Sequence, residues 1–600
     1  MYLYSLQIEG FRKLNNTTVY FGDSTFLIGE NNKGKSSIFK ALELVLNLKQ
    51  DISEHDYFSI FDIEESINKQ SSDKIILTAE FRGLPPDAPT WRGFKGRIAN
   101  DNGELIIKYR KTFNKGTIND KGTIKPIIEM LQNERILKIA KPKKWREFVS
   151  EDITEELIAS WNKDLDSKPA EQELEEYNEL WDIDNSQTSW VKNPGGIPQI
   201  VSSKLPDILI IPAEDKTEEL ESKGALSKIL ETLFKDVRNK SENFKNAEVF
   251  LNKLSAELDP SDETSDFGKL MSSLNQVLDS VFPESSIMAK ADLSKADDSI
   301  KAIFNINMKS NIITPISHQG TGAIRAAVFG LLLFRQQNLL REQSPENQNL
   351  IVCFEEPEIY LHPNAANQMR NKIYELASTN TQIICTTHSP YMISLDREVK
   401  QVLNNFIDDG NGGTKSISFN THAEYLKLQD NDKEYIKMLA RFDDSLARVF
   451  FARKTLIVEG DTEEIVLRET INRMSPDKQK IILSEIQIIK ARGKATIIPL
   501  VKYLKALSID LFVIHDSDTG TAGAERFNEP ILTALNGDSS KLQKMDNCIE
   551  DVLGYAPPSS EKPFKAYQQT KTWGASWSDV PEKWRKMIEQ NIFKEYFIND

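Results

Sequence analysis

Phe26-Leu27-Ile28-Gly29-Glu30-Asn31-Asn32-Lys33-Gly34-Lys35-Ser36-Ser37 is an apolar run that breaks at a glycine and passes into a helix-like stretch reaching about Leu48. Strand, Gly-x-x-x-x-Gly-Lys-Ser and helix, in that order, make a phosphate-binding loop. Gly29 and Gly34 allow the backbone N–H groups around Asn31, Asn32, Ser36 and Ser37 to wrap an anion at a helix N-terminus. Lys35 supplies the charge that meets the β- and γ-phosphates, and the Ser36 hydroxyl can ligate Mg²⁺. ATP with Mg²⁺ is therefore the expected cofactor, on an α/β framework.

Far downstream, Leu350-Ile351-Val352-Cys353-Phe354 reads as a buried strand that ends in Glu355-Glu356-Pro357-Glu358. Glu355 falls where an acid contacts Mg²⁺ through water, and Glu356 where the base for the attacking water belongs. The next buried strand, Gln382 to Thr386, is followed by His388, placed to sense the γ-phosphate. Between the two halves, Ser317-His318-Gln319-Gly320-Thr321-Gly322 precedes an apolar helix, so Ser317, Gly320 and Gly322 are a second candidate phosphate contact.

The 600 residues exceed what one core can hold, which favours three or four domains. A net charge of −15 argues against a protein that coats nucleic acid by bulk electrostatics, yet leaves room for a local basic groove. Cys353, Cys385 and Cys548 are few and widely spaced, as reduced core residues are. No stretch approaches the roughly 20 apolar residues that cross a bilayer. Ala326 to Phe334 fits a buried helix, and Met1-Tyr2-Leu3-Tyr4 offers no secretory signal. A cytoplasmic protein with no membrane partner is expected. The segment from about residue 85 to 205 reads as irregular, with helical character from Glu151 to Glu179. Leu, Ile, Phe and Val recur at three- and four-residue spacing from Glu218 to Leu278, which predicts an amphipathic helical arm.

From Lys454 the α/β alternation starts afresh. Thr455-Leu456-Ile457-Val458 ends in Glu459-Gly460-Asp461-Thr462-Glu463, Ile486 to Ile489 leads to Ala491-Arg492-Gly493-Lys494, and Leu511 to Ile514 ends in His515-Asp516-Ser517-Asp518. Acids thus gather at successive strand ends, the edge where open α/β sheets bind ligands. The two-residue period of extended chain puts Asp516 and Asp518 on one side, and Glu463 lies one turn from Glu459. Oxygen ligands without a Cys/His set favour Mg²⁺ or Mn²⁺, and two such ions can cleave a phosphodiester.

The first set of motifs, with Gly10-Phe11-Arg12-Lys13 before it, resembles ABC-type ATPases of the SMC and recombination-protein branch. That resemblance implies a dimer whose signature segment closes over the partner's ATP. The present signature departs from Ser-Gly-Gly-Gln. The second set resembles a Toprim domain. The order of the two is similar to the OLD (overcoming lysogenization defect) nuclease family, with its Gabija and retron-associated members, and Glu355-Glu356-Pro357-Glu358 through Leu361-His362-Pro363 fits the OLD form of Walker B. The family pattern further implies an acid matched by Glu550 and a charge-stabilising lysine matched by Lys562 or Lys565.

The resulting expectation is an α/β chain built as an ABC-type ATPase domain with a helical insertion, followed by a Toprim Rossmann-like domain. Its segments are ATPase 1–84, an insertion with a dimerisation arm 85–300, ATPase 301–400, a linker 401–451 and Toprim 452–600. What the resemblance implies is an ATP-regulated, Mg²⁺- or Mn²⁺-dependent endonuclease or nickase acting on double-stranded DNA. It also implies a homodimer or higher homo-oligomer and a part in phage defence with a further protein or nucleic-acid partner. The rivals are a non-nucleolytic DNA clamp and a topoisomerase- or primase-like enzyme; no surrounding motif marks either of the last two.

Overall fold

The computed structural model describes residues 1–48, 52–62, 67–116, 124–174, 177–196, 198–213, 350–359, 361, 363–377, 381–394, 401–442 and 446–597, with scattered positions between 214 and 349. The chain forms two compact units, Met1–Ala213 with Glu346–Asp600, and Glu214–Pro345.

Three sheets organise the first unit. In the first, β1 (Tyr2–Glu9), β2 (Thr17–Tyr20), β6 (Lys74–Arg82), β8 (Glu104–Asn114), β9 (Ile127–Leu137) and β10 (Trp181–Lys192) pair in the order β10-β9-β8-β6-β1-β2, with β7 (Ala99–Asp101) on β8. All its ladders are antiparallel. A separate hairpin joins β4 (Ser59–Asp62) to β5 (Ile67–Ser71).

The second sheet runs β11 (Asp207–Ile211), β14 (Leu350–Glu355), β15 (Thr381–Thr386), β3 (Ser24–Gly29), β16 (Gln401–Asp408), β17 (Thr414–Asn420). Its strands are parallel except β17. β14, β15 and β3 are buried almost throughout, as apolar runs covered on both faces should be.

The third sheet is fully parallel: β19 (Ile486–Lys490), β18 (Lys454–Val458), β20 (Leu511–Asp516), β21 (Leu542–Met545). Its strand order reverses between β18 and β20, and the C-terminal ends of strands at such a switch form a ligand crevice.

Two expected boundaries move. The ATPase sheet does not stop at residue 84, because β8, β9 and β10 continue the first sheet and β11 pairs with β14. β8 and β9 escaped the sequence reading because polar residues interrupt their buried apolar positions. Ile107, Tyr109, Lys111 and Phe113 alternate into the core of β8, with Lys111 fully buried, and Glu129 and Gln132 are buried on β9. Burial pushes the Lys111 ammonium down to about 7, and its Nζ donates to the carbonyls of Leu44 (3.0 Å) and Asn47 (2.9 Å) at the end of the helix Lys35–Leu46. Glu129 is held across the ladder by Arg110 at 2.7 Å.

The segment 401–451 is not a linker, since β16 lies parallel to β3 with Val402 opposite Thr25 and Phe406 opposite Gly29. Buried Asn404 disguised it. Its amide donates to the carbonyl of Tyr20 (2.9 Å) and its oxygen accepts from the Tyr20 N–H (3.2 Å). Among its described residues, the acidic stretch at 151–179 holds the short helices Glu155–Ser160 and Glu171–Leu174 and the start of the 3-10 turn Asn178–Leu180, beside a core of Trp145, Phe148, Ile158 and Leu180.

In the second unit, β12 (Asn307–Lys309) pairs antiparallel with β13 (Ile313–Pro315). Ile324, Val328 and Leu332, at helical four-residue spacing, are buried. Apart from scattered helical positions, the arm expected at 218–278 lies outside the described residues, as do Ser317, Gly320 and Gly322. No helix among the described residues is long and apolar enough to cross a membrane.

Gln382, like Asn404, is a buried side chain that joins the first two sheets. Gln382, at the start of β15, accepts from the Leu3 N–H (2.7 Å) and donates to the Leu3 carbonyl (2.8 Å), where β1 slips register between Leu3 and Ser5. Gln382→Leu leaves both backbone groups buried without partners, at a cost of about 1–3 kcal/mol each. A lowered urea midpoint is expected; an unchanged midpoint would show that the bulge finds other partners.

Candidate active sites

At the C-terminal edge of the second sheet, β15 lies between β14 and β3, so the residues following each strand meet. The phosphate-binding loop leaves β3 through Gly29 (φ +131°), Asn32 (φ +63°) and Gly34 (φ +87°). At Gly34 a side chain would also press on Leu14 at 3.0 Å, so glycine is required by backbone and space together. Asn31 is exposed, while Ser37 donates its N–H to the Gly34 carbonyl in the first turn of the helix.

Lys35 is buried, its ammonium folded onto the carbonyls of Gly29 (2.9 Å) and Glu30 (2.7 Å). Burial pushes its pKa down to about 8, against the pull of Glu356 and Glu30. The exposed Ser36 hydroxyl donates to the Glu355 carboxylate. A P-loop hydroxyl touching a strand-end acid is the donor pair expected to share a divalent ion, and Lys35 beside it suits a phosphate. The residues present therefore fit ATP with its metal.

Glu356 has a left-handed backbone (φ +44°), and its N–H donates to the Thr386 carbonyl and hydroxyl, each at 3.1 Å. This strained turn aligns the acid with the end of β15. There the His388 Nε2 is 3.9 Å from the Glu356 carboxylate. Burial, then Lys35, lowers the His388 pKa, while Glu356 opposes the shift. Glu356, His388 and Lys35 thus share one electrostatic field.

Two supports were not picked out from the sequence. Glu358 accepts from the Thr387 hydroxyl (2.6 Å) and the His388 N–H (3.2 Å), which fixes the turn that carries the histidine; burial raises its pKa. Arg12 (φ +51°) donates to Asp56 at 2.8 Å and reaches the Ser37 hydroxyl at 3.5 Å. Glu358 and Arg12 both lie in local motifs of the sequence, whereas the pairing of Arg12 with Asp56 has no local signal.

The second site sits at the β18/β20 switch. Glu459 follows β18, Asp516 ends β20, and Glu463 and Glu550 project from the first turns of the helices Asp461–Ile471 and Ile549–Leu553. Burial pushes the Asp516 carboxyl up to about 8, with Glu463, Glu459 and Glu550 adding to the shift. Burial pushes Glu459 up to about 7, reinforced by Glu463 and Asp518 and opposed by Lys494. Glu463 is also raised by burial; its carboxylate accepts from the Gly460 N–H at 2.8 Å.

Among the described residues, Glu459 Oε2, Asp516 Oδ1 and both Glu550 oxygens are buried with no hydrogen-bond partner. Cys548, whose thiol burial pushes up to about 12, lies beside Glu550 without a hydrogen bond of normal geometry. Unpaired buried acceptors are costly unless a cation satisfies them. No three His, Cys, Asp or Glu among the described residues stand close enough to enclose an ion as they are. Glu459, Asp516 and Glu550 are all carboxylates gathered at the C-terminal edge of one sheet, and a hard, oxygen-seeking divalent cation suits the chemistry of this donor set.

Asp518 differs from the others: it takes a left-handed backbone (φ +50°), and its carboxylate accepts from Lys494 Nζ at 2.9 Å. Lys494 had only its Gly-Lys spacing as a sequence signal. Lys562 opens the helix Lys562–Thr570, and its charge opposes the rise of the Glu463 pKa; it and Lys565, one turn further on, are both exposed. Behind Asp516, the His515 imidazole is fully buried, with Nδ1 2.7 Å from the Asp516 carbonyl; burial pushes its pKa down to about 4, so it is neutral.

The sequence carries two family signatures in the places these sites occupy. An AAA ATPase domain matches residues 1–393, and an overcoming lysogenization defect protein-like TOPRIM domain matches 450–518. The Old nuclease of Escherichia phage P2 is 24% identical over 343 residues, 55% of this chain and 57% of that one. The OLD nuclease of Thermus scotoductus is 28% identical over 283 residues, 44% of this chain and 50% of that one. Endonuclease GajA of Bacillus cereus strain HuB5-5 is 21% identical over 578 residues, 90% of this chain and 79% of that one. The chain thus spans about half the length of the first two relatives. With the ATPase signature covering more than half of the 600 residues, the chain belongs to the AAA ATPase domain family and joins to that ATPase a TOPRIM domain of the overcoming lysogenization defect protein-like kind.

Proposed function

We propose that the protein is an ATP-binding, ATP-regulated and divalent-metal-dependent DNA endonuclease or nickase, acting on double-stranded DNA in the cytoplasm as part of phage defence. The observation that carries this reading is the set of buried, unpartnered carboxylate oxygens on Glu459, Asp516 and Glu550 at the switch point of a TOPRIM sheet. A structural clamp has no use for such a set, whose burial and mutual repulsion cost stability. Nuclease names among the relatives support the same reading.

In this reading, Lys35 and the loop Gly29, Asn31, Asn32, Gly34, Ser36 and Ser37 hold the ATP phosphates, and Ser36 with Glu355 holds Mg²⁺. Glu356 takes the proton of the attacking water and His388 orients it. Ser317, Gly320 and Gly322 meet the partner's nucleotide in a homodimer or higher oligomer, to which the 218–278 arm contributes. At the second site Glu459, Glu463, Asp516, Asp518 and Glu550 hold Mg²⁺ or Mn²⁺. A cation there would activate water and stabilise the departing oxygen of a phosphodiester. Lys562 or Lys565 carries the charge that meets the scissile phosphate, and the pull of the Lys562 charge on Glu463 supports the former. A further protein or nucleic-acid partner would trigger the response.

The two sites should separate by mutation. Lys35→Ala is expected to weaken ATP binding severely, and Glu356→Gln to keep ATP while slowing hydrolysis by orders of magnitude, as read by nucleotide binding and phosphate release. Unchanged ATP affinity in Lys35→Ala would remove the loop from its assigned role.

For the second site, plasmid nicking in Mn²⁺ should fall by about two orders of magnitude or more in Asp516→Ala and Glu459→Ala, with ATP binding retained in both. Wild-type nicking that survives in both variants would displace the metal site. Relaxation without stable nicks would favour a topoisomerase, and primer synthesis a primase.

A further inference from the structure

Lys494 is placed where a cation has little reason to be. Its side chain is only 4% exposed, and it is the first residue of the helix Lys494–Ala506, whose N-terminal dipole end repels positive charge. It follows Arg492 (φ +58°) and Gly493 (φ +126°), so the chain turns through two left-handed residues to deliver it. What offsets burial and dipole is the acid cluster: Nζ donates to Asp518 Oδ2 at 2.9 Å, and the ammonium lowers the pKa of Glu459. Asp518 is delivered by an equally unusual backbone, its N–H fixed to the Asn547 carbonyl at 3.1 Å. The site's acids are therefore unequal. Glu459, Asp516 and Glu550 keep buried oxygens without partners, while Asp518 already has a cation.

We propose that Lys494 is a positioning residue that occupies Asp518 and makes divalent-ion binding at the TOPRIM site sequential. The first ion takes the unpartnered carboxylates of Glu459, Asp516 and Glu550, and a second reaches Asp518 only by displacing the Lys494 ammonium. The ammonium thus supplies a fixed positive charge in place of the second ion until that ion arrives. This inference rests on the metal-site reading above.

The test is a Mn²⁺ titration of nucleotide-free, full-length protein, following free Mn²⁺ by its paramagnetic resonance signal; the ions lost in Asp516→Ala are those of this site. Wild type is expected to bind one ion tightly and a second at least about tenfold more weakly. Lys494→Met, which keeps length and apolar stem but removes the charge, should bring the second ion to within about threefold of the first. Asp518→Asn, which does not depend on Lys494→Met folding, should lose the weak ion and keep the tight one. Two equally tight ions in wild type, a second ion just as weak in Lys494→Met, or a weak ion that persists in Asp518→Asn would overturn the proposal. If Asp516→Ala binds ions as wild type does, the metal-site reading itself fails instead.

Discussion

The parallel ladder between β15 and β3, with Ile383 opposite Ser24 and Thr386 opposite Leu27, is the contact on which the ATPase half depends. It closes a very long loop, so its entropic cost is paid by nothing local; the buried apolar faces of β3, β14 and β15 must supply it. Once it forms, the ends of three strands are neighbours. Ser36 then meets Glu355, and Lys35, Glu356 and His388 come under one field. Gln382 ties the same strand to the antiparallel sheet, and Lys111 ties that sheet to the end of the P-loop helix.

The two sites handle buried charge in opposite ways. In the ATPase, Lys35 rests on loop carbonyls and Ser36 on an acid, so each polar group has a temporary partner that a nucleotide and its metal can replace. In the TOPRIM half the carboxylates repel one another and several oxygens have no partner among the described residues. Such a cluster lowers stability in return for affinity toward a cation, the trade that functional sites commonly make. Lys494 relieves part of the repulsion from within, which offsets the cost of a lysine at a buried helix start.

Much of this was legible in the sequence because the motifs are local. A glycine loop between a strand and a helix, or acids at the end of an apolar run, have only one or two backbone solutions. Glu355, Glu356, His388, Glu459 and Asp516 were found in that way, and the structure brings each to the edge of its sheet. Where the sequence misled, the cause was a polar residue in the core. Lys111, Glu129 and Asn404 break the apolar period of β8, β9 and β16, so strands read as irregular chain or as a linker.

By itself, then, the sequence determined the two α/β halves, their order and which residue types stand at most strand ends, because each follows from residues within a few positions of one another. The tertiary structure decided what depends on strands meeting across the chain. It placed β8 to β10 and β16 in the ATPase sheets and gave Asp518 to Lys494. Spacing along a chain fixes which face a side chain shares, but burial and the partner opposite it exist only once distant strands have paired.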